Sequence, residues 1–264
     1  MDADIVLGPQ QGEPKRDAEG WLFLEAYAAL GDGRSVALVG WDGSIDWWCV
    51  PQMDSPPLFD RLLAPDTGGC FSITPAEPFS VERLYRRDSN VLETLFITAN
   101  GRARVVESLN SGPAGRLPWA ELARRIEGVE GEVTFKVSVV FGTQADKVSP
   151  YLDSTGNGCV FHAGDVLGMF VHDDKLRIDR QDDLGVSATV DIRADEKTIL
   201  AIIAGRNEPL VVPSTDLIDA RIDGSDREWK QWSESLLYEG PYKSLVTRSA
   251  LALKLLLCSP SGSI

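Results

Sequence analysis

The sequence predicts a mainly β chain, built as a large antiparallel β-sandwich (a supersandwich) followed by one or two C-terminal helices. Three observations carry this prediction. Short apolar runs recur along residues 35–203 with turn residues between them and no helical pattern among them. Two of the runs, Gly-Val-Ser-Ala-Thr-Val-Asp-Ile at 185–192 and Glu-Val-Thr-Phe-Lys-Val-Ser-Val-Val at 132–140, alternate apolar and polar as half-buried strands do. After residue 214 the period changes to a helical one.

Residues 1–20 are polar, with Gly, Pro and mixed charge, and read as a flexible tail. Residues 21–30 suit a short helix or a first strand equally well. Strands are expected at 35–40 and 44–50, joined by Trp41-Asp42-Gly43, because Gly tolerates the positive φ of a tight hairpin. Pro51 closes the second, since it donates nothing to a ladder. Further strands are expected at 69–75, 91–99, 103–109, 122–127, 132–141, 159–163, 166–171, 175–180, 185–192 and 198–203. Asn100-Gly101, the stretch 128–131, 156–158 and Gly164-Asp165 supply the turns. The sandwich thus covers 21–213. A linker helix with one apolar side (Ile222, Trp229, Trp232, Leu236) follows in 214–241, and a second, largely apolar helix in 242–264 wants burial on most sides.

The composition is globular, with 43% hydrophobic residues and a net charge of −14. That charge repels phosphate backbones, so nucleic acid is excluded as a partner. No basic amphipathic stretch or long apolar run points to a membrane. Residues 1–16 contain no apolar core of a secretory signal, so the expected location is cytoplasmic and Cys49, Cys70, Cys159 and Cys258 are expected as buried free thiols. Cys159 and His162 have a metal-like spacing but no second pair, and no cofactor motif stands out, so neither metal nor cofactor is expected.

Asp42 is explained by its turn, and Asp32 and Asp54 by loops where Asp bonds nearby backbone. Asp46 lies inside an apolar strand and needs a partner, for which Arg34 is the candidate. Trp41, Trp47 and Trp48 cluster. Trp47 and Trp48 point to opposite faces of their strand, one into the core, while the other is free to pack on another domain or a sugar. Trp41, Asp46, Trp47, Trp48 and Asp54 are therefore the candidates for sugar binding or a domain interface.

Residues 27–59 resemble the opening of the bacterial and archaeal members of glycoside hydrolase family 15, the glucoamylase, glucodextranase and trehalase group. The resemblance is carried by Gly31-Asp32, Ala37-Leu38-Val39, Asp42-Gly43-Ser44-Ile45-Asp46-Trp47, Cys49, Pro51 and Asp54-Ser55-Pro56. It continues through Tyr85, Asn90-Val91-Leu92-Glu93-Thr94, Arg125-Ile126-Glu127-Gly128 and Arg248-Ser249-Ala250-Leu251, with Pro260 and Gly262 beyond. Gln52-Met53 stands where the family has Arg-Phe, and Glu107 where it often has Asp. The resemblance implies a β-sandwich, a helical linker and then an (α/α)6 barrel whose two glutamates work as general acid and base in an inverting hydrolysis. On that plan residues 242–264 are the first helix of a truncated barrel, the catalytic glutamates lie beyond Ile264, and this chain alone is inactive. It would support and orient the barrel, its partner in the same protein, with an α-glucan or α-glucoside as ligand and self-association as a way to cover its apolar surface. The alternative is a stand-alone carbohydrate-binding or protein-interaction module.

Overall fold

The structure is a computed structural model. It describes residues 10–111, 117–143, 147–156, 158–206, 209–257 and Gly262. Residues 1–9 of the expected tail, Cys258 and Pro260 lie outside the described residues.

All strand pairs are antiparallel and form two layers. One sheet runs in the order Gln10–Gly12, Phe79–Tyr85, Leu92–Thr98, Gly101–Leu109, the first part of Ala120–Val140, Lys197–Arg206, Val166–His172, Gly158–Ala163 and Tyr151–Thr155. The other runs from Arg177–Asp182 through Gly185–Arg193, the second part of Ala120–Val140, Cys70–Pro75, Ser44–Cys49 and Val36–Gly40 to Tyr27–Gly31, with Pro57–Phe59 beside Ser44–Cys49. Two α-helices follow, α1 (Thr215–Glu234) and α2 (Lys243–Leu256). The expected sandwich with helices at its end is the observed fold.

Trp41-Asp42-Gly43 does make the hairpin. Gly43 has φ +81, and a Cβ there would sit 2.2 Å from the Ile73 carbonyl. The stretch 128–131, expected as a turn, is instead a bend inside one strand of 21 residues. Its first half pairs in one sheet and its second half in the other, with a bulge between Gly128 and Glu130. A Cβ on Gly128 would meet the Arg193 carbonyl at 1.8 Å, and Gly131 has φ +64, so only glycine lets the strand change layers here.

The core fills the space between the layers, with Phe71, Phe96, Phe135, Phe161 and Phe170 fully buried. A second apolar cluster lies on the outer face of the first sheet. There Val106, Ala123, Ile199 and Ala201 meet Ile218 and Ile222 of α1. Ser214 caps α1 by accepting from the Leu217 N–H. Ion pairs rim this contact: Arg125 with Asp219 at 2.7 Å and with Asp223 at 3.3 Å, Lys197 with Asp219, and Arg86 with Asp223 at 3.4 Å.

Partial burial raises the Asp219 and Asp223 carboxyls, but Arg125 with Lys197, and Arg125 with Arg86, outweigh it and hold both below the ordinary 3.8. An acid with a lowered folded pKa stabilises above its ordinary value and loses that contribution as pH falls through the folded one. Helix α1 should therefore loosen from the sheet only below pH 3.8. Hydrogen exchange of the Thr215–Glu234 amides across acid pH checks this, and protection that holds until the strands themselves open would refute it.

Candidate functional site

The hairpin that carries most of the predicted site residues brings Asp46 into a closed polar cluster. Its Oδ2 accepts from the Arg16 guanidinium at 2.8 Å and from the Tyr27 hydroxyl at 2.7 Å. Its Oδ1 accepts from the Ser44 hydroxyl at 2.5 Å, and Arg61 stands 3.9 Å away. Arg16 also reaches Asp42 at 2.7 Å. Burial pushes the Tyr27 phenol up, and the bond to Asp46 pushes it further. Burial pulls Arg16 down, but Asp42 and Asp46 more than reverse this. With both oxygens bonded and the side chain fully buried, Asp46 ties the N-terminal segment to the hairpin.

Its partner differs from the expected Arg34. Ala37 pairs with Trp48 across the hairpin, so Arg34 lies beyond the far end of the strand that carries Asp46. Arg34 bonds Asp32 at 3.3 Å and the Trp119 carbonyl at 3.0 Å. Arg16 comes from the segment read as loose. That segment contributes the strand Gln10–Gly12, and Gly12 lies so close to Trp41 that a Cβ would sit 2.5 Å from the ring.

Trp48 is fully buried between the sheets, 6.0 Å from the Phe59 ring, and Trp47 is half-buried on the opposite face. Trp41 is half-buried, with the Arg83 guanidinium 5.5 Å from its ring centroid. Asp54 is exposed beyond the other end of the strand Ser44–Cys49. Burial, then the Asp54 charge, push the Cys49 thiol up to about 11, so it stays protonated at neutral pH. Four of the five predicted residues are therefore spread along one hairpin, Asp54 lies beyond it, and they do not converge on one point. Cys159 and His162 sit three apart in one strand, so they face opposite sides. No group of three or more His, Cys, Asp or Glu among the described residues could hold a metal. No helix among them is long and apolar enough to cross a membrane.

The residues that do converge lie at the Asp54 end of the sandwich. The turn Gly31-Asp32-Gly33, Leu109 and Ser111 meet Glu228, Trp229 and Trp232 of α1 and Lys254 of α2 around a cleft of about 280 Å³. Helix α2 is anchored beside it. Arg248 donates to the Ser89 carbonyl at 2.7 Å, bonds the Asn90 side chain, and lies 4.4 Å from the Tyr85 ring centroid. Asn90 in turn donates to the Leu251 carbonyl at 3.1 Å. Leu251 and Leu255 are buried, and Leu255 fills the space over Gly31. The other side of α2 exposes Val246, Leu253 and Leu256, with Leu253 57% exposed. The sequence signalled Trp229 and Trp232 as one apolar side of a helix. Their placement on a cleft wall depends on the docking of α1, which no local pattern encodes.

The chain matches the family described as trehalase-like, N-terminal, over residues 19–156. It is 27% identical over 262 residues to a trehalase of Thermoplasma volcanium, covering 92% of this chain and 39% of the relative. A trehalase of Mycolicibacterium smegmatis is 26% identical over 264 residues, covering 90% of this chain and 38% of the relative. Trehalase 1 of Sulfolobus acidocaldarius is 43% identical over 92 residues, which cover 34% of this chain and 16% of the relative. The chain thus spans at most 39% of the length of these relatives.

Proposed function

This chain belongs to the trehalase-like N-terminal family, and from that premise we propose that it is the non-catalytic N-terminal domain of a glycoside hydrolase of family 15. In the whole protein it supports and orients an (α/α)6 barrel that hydrolyses an α-glucosidic bond, trehalose first among the substrates. The barrel's two facing carboxylates, with a water between them, invert the anomeric centre. One observation carries this reading: α2 is two-faced. Arg248, Leu251 and Leu255 fix it to the sandwich, while Val246, Leu253 and Leu256 present an apolar stripe outward. A helix held this way serves as a rigid joint, on which a following helical domain can set its orientation. The 39% share of the trehalase relatives leaves ample length for such a domain. The free, buried Cys49, Cys70 and Cys159 fit a reducing, cytoplasmic compartment.

The test is release of glucose from trehalose, maltose and starch, by this chain and by a version lengthened to the size of its full relatives. Only the longer version is expected to act, with trehalose as the best substrate. Turnover by the 264-residue chain itself would overthrow the non-catalytic reading. A longer version inert on all three would overthrow the glycosidase reading.

A further inference from the structure

We propose that the cleft between the Gly31–Gly33 turn, α1 and α2 is a binding subsite for one neutral glucosyl unit of an α-glucoside. The identity of the sugar rests on the function proposed above, and the class of ligand rests on the lining.

Trp229 and Trp232, one helical turn apart, give the cleft two half-buried indoles, surfaces suited to the apolar faces of a pyranose ring. Around them stand groups that bond hydroxyls. Asp32 shapes the wall and leaves the bonding to its neighbours, since its side chain is only 3% exposed and accepts from the backbone N–H groups of Arg34 at 2.9 Å and Ser35 at 2.8 Å and from the Arg34 guanidinium at 3.3 Å. Glu228 accepts from the Ser111 hydroxyl, and the Ser111 N–H is itself fixed by Ser225 at 3.0 Å. Among the described residues, the Lys254 ammonium and both indole N–H groups have no partner within the protein and are free to donate.

Charge narrows the ligand further. Asp32 and Glu228 are balanced by Lys254 and by Arg34, which is paired to Asp32. A site with this balance gives a phosphate no net attraction and a metal cation too few free oxygens. A neutral polyol finds both donors and acceptors. The volume of about 280 Å³ lies at the small end of small-molecule pockets, which suits a single pyranose ring. The walls are also preformed, since Leu255 of α2 packs directly on Gly31.

Tryptophan fluorescence and titration calorimetry on this chain, with glucose, maltose and trehalose, test the site. Saturable binding is expected for at least one sugar. It should be about tenfold weaker in Trp229→Ala and in Trp232→Ala, the factor that one lost stacking contact carries. If either variant fails to fold, Glu228→Gln and Lys254→Ala probe the same cleft from two helices, and both should weaken binding. No saturable binding by the unaltered chain, or binding that survives these changes, overturns the subsite. If the lengthened protein hydrolyses trehalose while this chain binds no sugar, the subsite falls and the domain's proposed function stands.

Discussion

Arg124→Met is expected to destabilise the chain by about 3–5 kcal/mol, the usual cost of leaving one partner of a buried ion pair alone. Arg124 and Glu107 are both buried, with the guanidinium 2.7 Å from the carboxylate. The same guanidinium donates to the Phe71 and Gly43 carbonyls, each at 2.7 Å. Arg124 and Glu107 belong to one sheet, Phe71 and Gly43 to the facing sheet and its hairpin, so this side chain bolts the layers together. Urea unfolding followed by tryptophan fluorescence measures the loss. A midpoint within error of the unaltered chain would sink the argument.

The pH dependence gives a second readout. Burial raises Glu107 above its ordinary 4.5, with Arg124 pulling it back. Without Arg124 the carboxyl rises further and takes up a proton more readily. An acid with a raised folded pKa contributes most below its ordinary value and loses that contribution as pH rises through the folded one. The gap between Arg124→Met and the unaltered chain should therefore stay level while both carboxyls hold their proton and widen once pH rises through the folded value of Glu107 in the unaltered chain. Adding Glu107→Leu should recover the part due to the lone carboxylate. The two orphaned carbonyls should leave a residue of about 1–3 kcal/mol.

Arg16→Ala should cost nearly as much, about 3 kcal/mol. Asp46 has a fully buried side chain, and its remaining cation, Arg61, stands 3.9 Å away. The variant should also release the strand Gln10–Gly12 from its neighbour Phe79–Tyr85, which would appear as early proteolytic cleavage near residue 16. Asp46→Asn in the same background should restore much of the stability, because a neutral amide tolerates the missing guanidinium. If Arg16→Ala unfolds at the same urea concentration as the unaltered chain, the N-terminal segment is not a stabilising strap.

The class of fold and most of its strands are legible in the order of the amino acids. Period-two alternation and Asp-Gly or Asn-Gly turns are local signals, and they do not need the rest of the chain to be read. The same holds for the hairpin around Asp42-Gly43, for the opposite faces of Trp47 and Trp48, and for the helices at 215–234 and 243–256. The strand Phe79–Tyr85 escaped because Arg83 occupies an inward position and breaks the alternation. Its guanidinium is satisfied there by the Ala26 and Val39 carbonyls at 2.9 and 3.1 Å. Tyr151–Thr155 escaped because it buries only Leu152 and shows no period.

Features that depend on partners far apart in sequence emerge only from the packed fold. Gly128–Gly131 is equally suited to a turn or a bend, and pairing with Gly101 and the Arg193–Lys197 turn settles it as a bend. Arg16 and Asp46 are 30 residues apart, whereas the closer Arg34 is taken to the opposite end by strand register. The cleft unites a turn at residue 32, a loop at 111 and two helices beyond 214, and it exists only where α1 and α2 dock. Local propensity selects the elements because its interactions span a few residues. Which charges pair, and which aromatics face solvent, is set by contacts that form only once the layers have packed.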